Sequence, residues 1–116
     1  MRDQYREYAK LAADAADDKK ANDVVILDIR ELSIIADYFV ICSAHSRTQA
    51  QAIADAVSEQ LELSGVTCKG TEGHHDGKWV LLDFGDVIVH VFQEEERRFF
   101  DLERLWGDAP RLSLSV

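Results

Sequence analysis

Acids, imidazoles and thiols recur at close spacing in several parts of this chain, and each spacing suggests a chemistry that can be weighed. His74-His75-Asp76 offers nitrogen and oxygen donors for a metal. Adjacent donors on a glycine-punctuated stretch, with no third or fourth ligand near in sequence, read instead as a solvated turn. Asp83 and Asp86 could form a carboxylate pair for Mg²⁺, but they flank Gly85, and Asp beside Gly is favoured in turns for local backbone reasons. His90 could act as a general base, yet no nucleophile stands at a fixed distance from it, and an imidazole on an apolar strand is more often packed or hydrogen-bonded. Cys42 and Cys68 lie in apolar, strand-like contexts outside any Cys-x-x-Cys pattern, and are expected to be buried reduced thiols. The chain has no Gly-x-Gly-x-x-Gly, no phosphate-binding Gly-Lys-Ser/Thr loop and no Gly-x-Ser-x-Gly elbow. No metal or other cofactor is expected.

What positions these residues is legible from alternation. Trp79-Val-Leu-Leu-Asp-Phe-Gly-Asp-Val-Ile-Val-His-Val-Phe92 predicts a β-hairpin turning at Gly85-Asp86, where Gly supplies the positive φ of a type II′ turn. That register pairs Phe84 with Val87, Leu82 with Val89 and Val80 with Val91 on a wholly apolar face. The opposite face pairs Asp83 with Ile88, Leu81 with His90 and Trp79 with Phe92. Such a mixed face needs a cover or a partner.

Around the hairpin, a helix is expected from about Asp3 to Lys20, with Leu11, Ala12, Ala15 and Ala16 on one stripe and Lys19 and Lys20 at the negative end of its dipole. Val24–Asp28 and Tyr38–Cys42 read as strands, separated by an irregular stretch over Ile29–Asp37. Ser46-Arg-Thr-Gln49 has the form of a capping box and opens a helix carrying Ala50, Ile53, Ala54, Val57 and Leu61, which Gly65 closes. Val66–Lys69 reads as a weaker strand before a loop containing Gly70, Gly73 and Gly77. Glu94, Glu95 and Glu96 begin a last helix, which carries Phe99, Leu102, Leu105 and Trp106 and stops at Gly107. From Asp108 the chain is expected to be mobile. The order α-β-β-α-β-β-β-α implies a layered α/β domain with a mixed sheet of about five strands and flanking helices.

The 116 residues, 47% of them hydrophobic, suit one unit over 1–116 with a core of its own. No apolar run reaches the length of a membrane span, and the first residues lack the hydrophobic block of a signal peptide, so a cytoplasmic protein is expected. A net charge of −9, from 22 acids and 13 bases, argues against gripping nucleic acid through its phosphates and weakly favours a basic partner.

Ala36-Asp-Tyr-Phe-Val-Ile-Cys-Ser43, Glu72-Gly73, the Trp79–Phe92 hairpin and Asp101-Leu-Glu-Arg-Leu-Trp-Gly-Asp-Ala-Pro110 resemble the ribosomal silencing factor family, also called Iojap, over nearly the whole chain. The resemblance implies a fold related to nucleotidyltransferase domains but used for binding. It implies docking on the large ribosomal subunit, chiefly on large-subunit protein fourteen, with minor ribosomal RNA contact. Docking would obstruct joining of the small subunit and lower translation when nutrients are scarce. It also implies a homodimer when free. The family's motif residues fall on Glu72, Trp79, Asp83, Phe84, Gly85, Asp86, His90, Asp101, Leu102, Leu105 and Trp106. Of these, Gly85 and Phe84 serve the turn and the core in the register above; Glu72, Trp79, Asp83, His90, Asp101, Leu105 and Trp106 are the candidate contacts, with Trp79, Asp83 and Glu72 foremost. His74-His-Asp-Gly77 matches no fixed family pattern, and Ala44-His45 stands where many relatives have Gly or Thr. The alternative is a nucleotidyltransferase-like enzyme, but Ser43-Ala-His-Ser46 lacks the glycine of a Gly-Ser motif, and no Asp-x-Asp pair stands at the expected place.

Overall fold

A computed structural model describes residues 4–112, in which a six-stranded mixed sheet carries helices on both faces. In chain order the elements are α1 (Gln4–Asp18), β1 (Asn22–Asp28), β2 (Tyr38–Ala44), α2 (Arg47–Leu63), β3 (Gly70–Glu72), β4 (Trp79–Asp83), β5 (Val87–Gln93), α3 (Glu94–Phe100), α4 (Leu102–Leu105) and β6 (Arg111–Leu112). The strands lie in the order β3-β4-β5-β2-β1-β6. Among the described residues only β2 and β5 pair in parallel, Tyr38 beside Val87 through Ala44 beside Gln93.

The hairpin forms in the expected register, with Trp79 opposite Phe92, Leu81 opposite His90 and Asp83 opposite Ile88. Phe84 N–H donates to the Val87 carbonyl at 3.0 Å, and Gly85 has φ +94°. Val80, Leu82, Phe84, Val87, Val89 and Val91 then enter the core beneath α1 and α2. Ala9, Ala12, Ala13 and Ala16 of α1 are buried there, and their small side chains let the helix lie close to α2 and the sheet.

Ser46 caps α2 as expected, its Oγ accepting from Gln49 N–H at 3.1 Å. The reciprocal half of the box shifts by one residue, because the Gln49 side chain accepts from His45 N–H at 2.6 Å and not from Ser46. Its Nε2 is then free to donate to the carbonyls of Lys19 and Lys20 beyond the end of α1. Lys20 is left-handed there, with φ +67°, and Ala21 N–H returns to the Ala16 carbonyl.

Four expectations need correction. Val66–Lys69 is not a strand; β3 begins at Gly70 and pairs Gly70–Glu72 with Asp83 to Leu81 of β4, and of the preceding stretch the Lys69 N–H reaches β4, donating to the Asp83 carbonyl at 2.7 Å. The last helix is two helices, α3 and α4, broken at Asp101, whose φ of +46° and ψ of +53° no right-handed helix accommodates. The stretch after Asp108 is tied down as far as Leu112: the Pro110 carbonyl accepts from Asp28 N–H at 2.8 Å, and Arg111 and Leu112 pair with Leu27 and Ile26. That pairing makes β6, and with it six strands where about five were expected. The expectations for Asp3 and for the tail after Leu112 lie outside the described residues. No helix among the described residues is long and apolar enough to cross a membrane.

Candidate functional site

The face of the sheet turned away from α1 and α2 is only partly covered. Alternation puts Leu27, Phe39, Ile41, Ile88, His90, Phe92 and Trp79 on this side. α3 and α4 cross it, and Ala109, Leu102 and Trp106 join Leu27, Ile29, Ala36, Phe39, Ile41 and Phe92 in a second, smaller core. Towards the β3 edge the cover ends, leaving Leu81, Asp83 and Ile88 half-buried and Glu72 exposed.

Trp79 stands at this boundary. Its ring lies 4.5 Å from that of Phe100 and 4.9 Å from that of Phe92, and Phe99 meets Phe100 edge-on at 5.0 Å. Its Nε1–H donates to His90 Nδ1 at 3.1 Å, which fixes the indole against the sheet. His90 is 4% exposed, and burial pushes its pKa down to about 4, so the ring is neutral at pH 7. Because Nδ1 accepts, the ring proton sits on Nε2, a buried atom with no hydrogen-bond partner. Phe39 meets His90 edge-on at 4.7 Å and Trp106 at 5.4 Å, so an aromatic row runs from Trp106 through His90 and Trp79 to Phe100.

Beside Trp79 a groove of about 480 Å³ opens between the Gly73–Lys78 loop and α3. Gly73 keeps the loop close: its φ is +77°, and a Cβ there would run into the Trp79 carbonyl oxygen. Phe99, 80% exposed, and Phe100 form the far wall, with Asp76, Glu95 and Glu96 also lining the groove.

The expected contact residues therefore separate. Trp79 and His90 are brought together, and Trp106 joins them through Phe39. Asp83 spends one carboxylate oxygen on Gly85 N–H, at 2.8 Å, within the hairpin turn. Asp101 provides the bend between α3 and α4, and Leu105 projects from α4 at 74% exposure. Glu72 lies on β3 opposite Leu81, its side of the sheet shared with His90.

Sequence reasoning missed what holds α3 and α4 in place. Arg97 makes a two-pronged bond to Glu103, 3.1 and 3.0 Å, and donates to Ser43 Oγ at 2.8 Å and to the Asn22 carbonyl at 3.4 Å. Its side chain is 11% exposed and that of Glu103 21%. Neither helix contains a fully buried residue; the ion pair joins α3 to α4, and the Arg97 bonds to Ser43 and Asn22 tie them to β2 and β1 alongside the packing of Phe100 and Leu102. Six residues separate the two charges, a spacing that meets on no single helix face, and only the break at Asp101 brings them together.

Elsewhere, His74 bonds to Asp55 at 2.8 Å on the surface, and no cluster of metal-ligating residues occurs among the described residues. Cys42 is fully buried, as expected, and its thiol is pushed up to about 12 by that burial; Cys68, expected to be buried, is instead half-buried in the stretch that forms no strand, and both are free. Leu32, Ile34 and Ile35 are exposed in the loop from β1 to β2, at the other end of β2 from Ser43.

Comparison with known proteins gives this architecture a family. Residues 2–116 match the family model described as ribosomal silencing factor during starvation. The chain belongs to the ribosomal silencing factor family. It is 49% identical over 105 residues to the ribosomal silencing factor RsfS of Bacillus subtilis, spanning 90% of this chain and 89% of that one. It is also similar to the chloroplastic Iojap protein of Zea mays, at 35% identity over 92% of this chain and 46% of that one. Among solved structures, a protein of Chromobacterium violaceum superposes with a TM-score of 0.86 at 38% identity, covering 96% of this chain and 92% of its own. A protein of Bacillus halodurans does so with a TM-score of 0.82 at 42% identity, covering 93% and 98%. As a ribosomal silencing factor the chain has a ribosome-associated role in translation silencing, in a family named for silencing and not for a catalysed reaction.

Proposed function

We propose that this silencing factor binds the large ribosomal subunit, chiefly through large-subunit protein fourteen with minor ribosomal RNA contact, and sterically blocks joining of the small subunit under nutrient limitation. It does so in the cytoplasm, as one folding unit over 1–116, without catalysis, and is a homodimer when free. The observation that carries the reading is the exposed apolar surface where the cover of the second sheet face ends: Trp79, Phe99 and Phe100 line one groove with Asp76, Glu95 and Glu96, and Leu105 is exposed on α4. An exposed aromatic patch of this kind suits a protein partner, and a net charge of −9 suits a basic one better than bare RNA. Glu72, Trp79, Leu105 and Trp106 are the proposed contacts, with His90 acting from beneath through Trp79, and Asp83 and Asp101 shaping the turn and bend beside them. Against an enzyme stand the groups themselves: His90 meets only the Trp79 indole through Nδ1, and Cys42 is a buried thiol far from ionising at neutral pH.

The test is sedimentation with purified large subunits, followed by a subunit-joining assay. The wild-type chain is expected to travel with large subunits and to prevent joining. Trp79→Ala should weaken binding by about 2–4 kcal/mol, roughly 30- to 1,000-fold. A wild-type chain that leaves large subunits free in the gradient refutes the reading, and a folded Trp79→Ala that blocks joining at wild-type concentration removes Trp79 from the site.

A further inference from the structure

We propose that the groove beside Trp79 receives an arginine side chain presented by the basic partner, with its guanidinium stacked on the aromatic wall and bonded at the rim by carboxylates. The proposal rests on the ribosome-binding reading and names the chemistry at its centre. The groove has two kinds of lining. Trp79, Phe99 and Phe100 give it apolar walls, their faces set close by ring contacts of 4.5 and 5.0 Å. Asp76, Glu95 and Glu96 give it acid, against Lys78 as the single base lining it.

This combination selects its occupant. A phosphate would meet three carboxylates and no compensating cluster of bases, which disfavours nucleic acid here. A purely aliphatic side chain would bury beside those acids without using them. A cation with a long apolar stem satisfies both, lying along the rings and ending among the acids. Between the two candidates, a guanidinium stacks flat on an aromatic face and offers paired donors to a carboxylate, whereas an ammonium is a hydrated point charge. The walls are also preorganised: the Trp79 indole is fixed by His90, the loop approaches through Gly73, and α3 is held by Arg97.

Two measurements test this. The first compares binding of purified large subunits by the wild type, by Asp76→Asn/Glu95→Gln/Glu96→Gln and by Lys78→Gln. Loss of three rim carboxylates should weaken binding about ten-fold or more at low salt. Loss of the competing Lys78 ammonium should tighten it. These opposite signs from neighbouring exposed positions are not what damage to the fold would give, and melting curves check that both variants stay folded. The second follows Trp79 fluorescence in a Trp106→Phe background during titration with N-acetylated, amidated Gly-Arg-Gly, Gly-Lys-Gly and Gly-citrulline-Gly. A saturable change is expected with arginine, a weaker one with lysine and none with citrulline.

If the wild type and the triple variant bind large subunits alike, the groove proposal fails while the ribosome reading stands. If large subunits are not retained but the arginine peptide is bound and the citrulline peptide is not, the ribosome reading fails and the groove's chemistry stands. Equal responses to arginine and citrulline, or variants that alter only self-association, overturn the proposal, the latter making a second copy of the chain the occupant.

Discussion

Replacing Arg97 with Met removes one side of the ion pair that joins α3 to α4, together with the Arg97 bonds to β1 and β2, and its cost can be worked from what is left behind. Glu103 keeps its charge at 21% exposure, with the Arg111 guanidinium the remaining base near it among the described residues, at 4.0 Å. Ser43, fully buried, loses the donor to its hydroxyl. Breaking a fully buried pair from one side costs about 3–5 kcal/mol, and partial exposure of Glu103 lowers this towards about 2 kcal/mol. The stranded Ser43 oxygen adds about 1 kcal/mol, for a total near 3 kcal/mol. Because neither short helix has a fully buried residue, part of this loss falls on local opening of α3 and α4. Urea denaturation reads the global part, and hydrogen exchange of amides in Glu94–Phe100 and Leu102–Leu105 reads the local part. Arg97→Met/Glu103→Leu, which removes both charges, should recover at least half of the loss. If the single variant leaves both the urea midpoint and those exchange rates unchanged, or the double variant is as damaged as the single, the ion pair does not hold these helices.

His90 gives the second prediction. Its folded pKa, about 4, lies below the unfolded value of 6.5, so the unfolded chain binds more protons between those values. Stability from this group is therefore complete above pH 6.5, falls as pH drops towards 4 and is flat below, a loss of about 3 kcal/mol; denaturation across this range with wild type and His90→Phe should show that only the wild type carries this component. Gly73→Ala, forced to positive φ against the Trp79 carbonyl, should cost about 2 kcal/mol and change Trp79 emission, which melting and fluorescence check together. Iodoacetamide should label Cys68 in the folded protein and leave Cys42 unmodified until denaturant is added, and rapid native labelling of Cys42 would contradict its burial.

The hairpin was legible because strict alternation and one glycine determine both its register and its faces, down to Trp79 opposite Phe92. α2 was equally readable from Ser46, Gln49 and an apolar stripe, although Gln49 turned out to bridge two helices. The break at Asp101 was not, since Asp tolerates the left-handed region without requiring it and the apolar residues run on in helical spacing on either side. Strand β6 escaped notice for a different reason: two residues carry no periodicity, and their pairing with β1 depends on a return of the chain from α4. At the candidate site, Trp79 and His90 could be placed on one face from sequence. Phe100, Phe39 and the Arg97–Glu103 pair could not, because each acts through a helix laid across the sheet, and that placement is tertiary.

The single parallel pairing in the sheet has a consequence in time. A nascent chain emerging in order can bring together α1, β1, β2 and α2, but the β2 edge that β5 will occupy stays open until residues from Val87 onward have been made. The aromatic row is later still, because Phe39 must wait for His90 and Trp106, and Trp79 for Phe100. A nascent chain that stops before Val87 therefore has Trp79 but none of β5, Phe99 or Phe100, and so lacks the surface on which the indole packs.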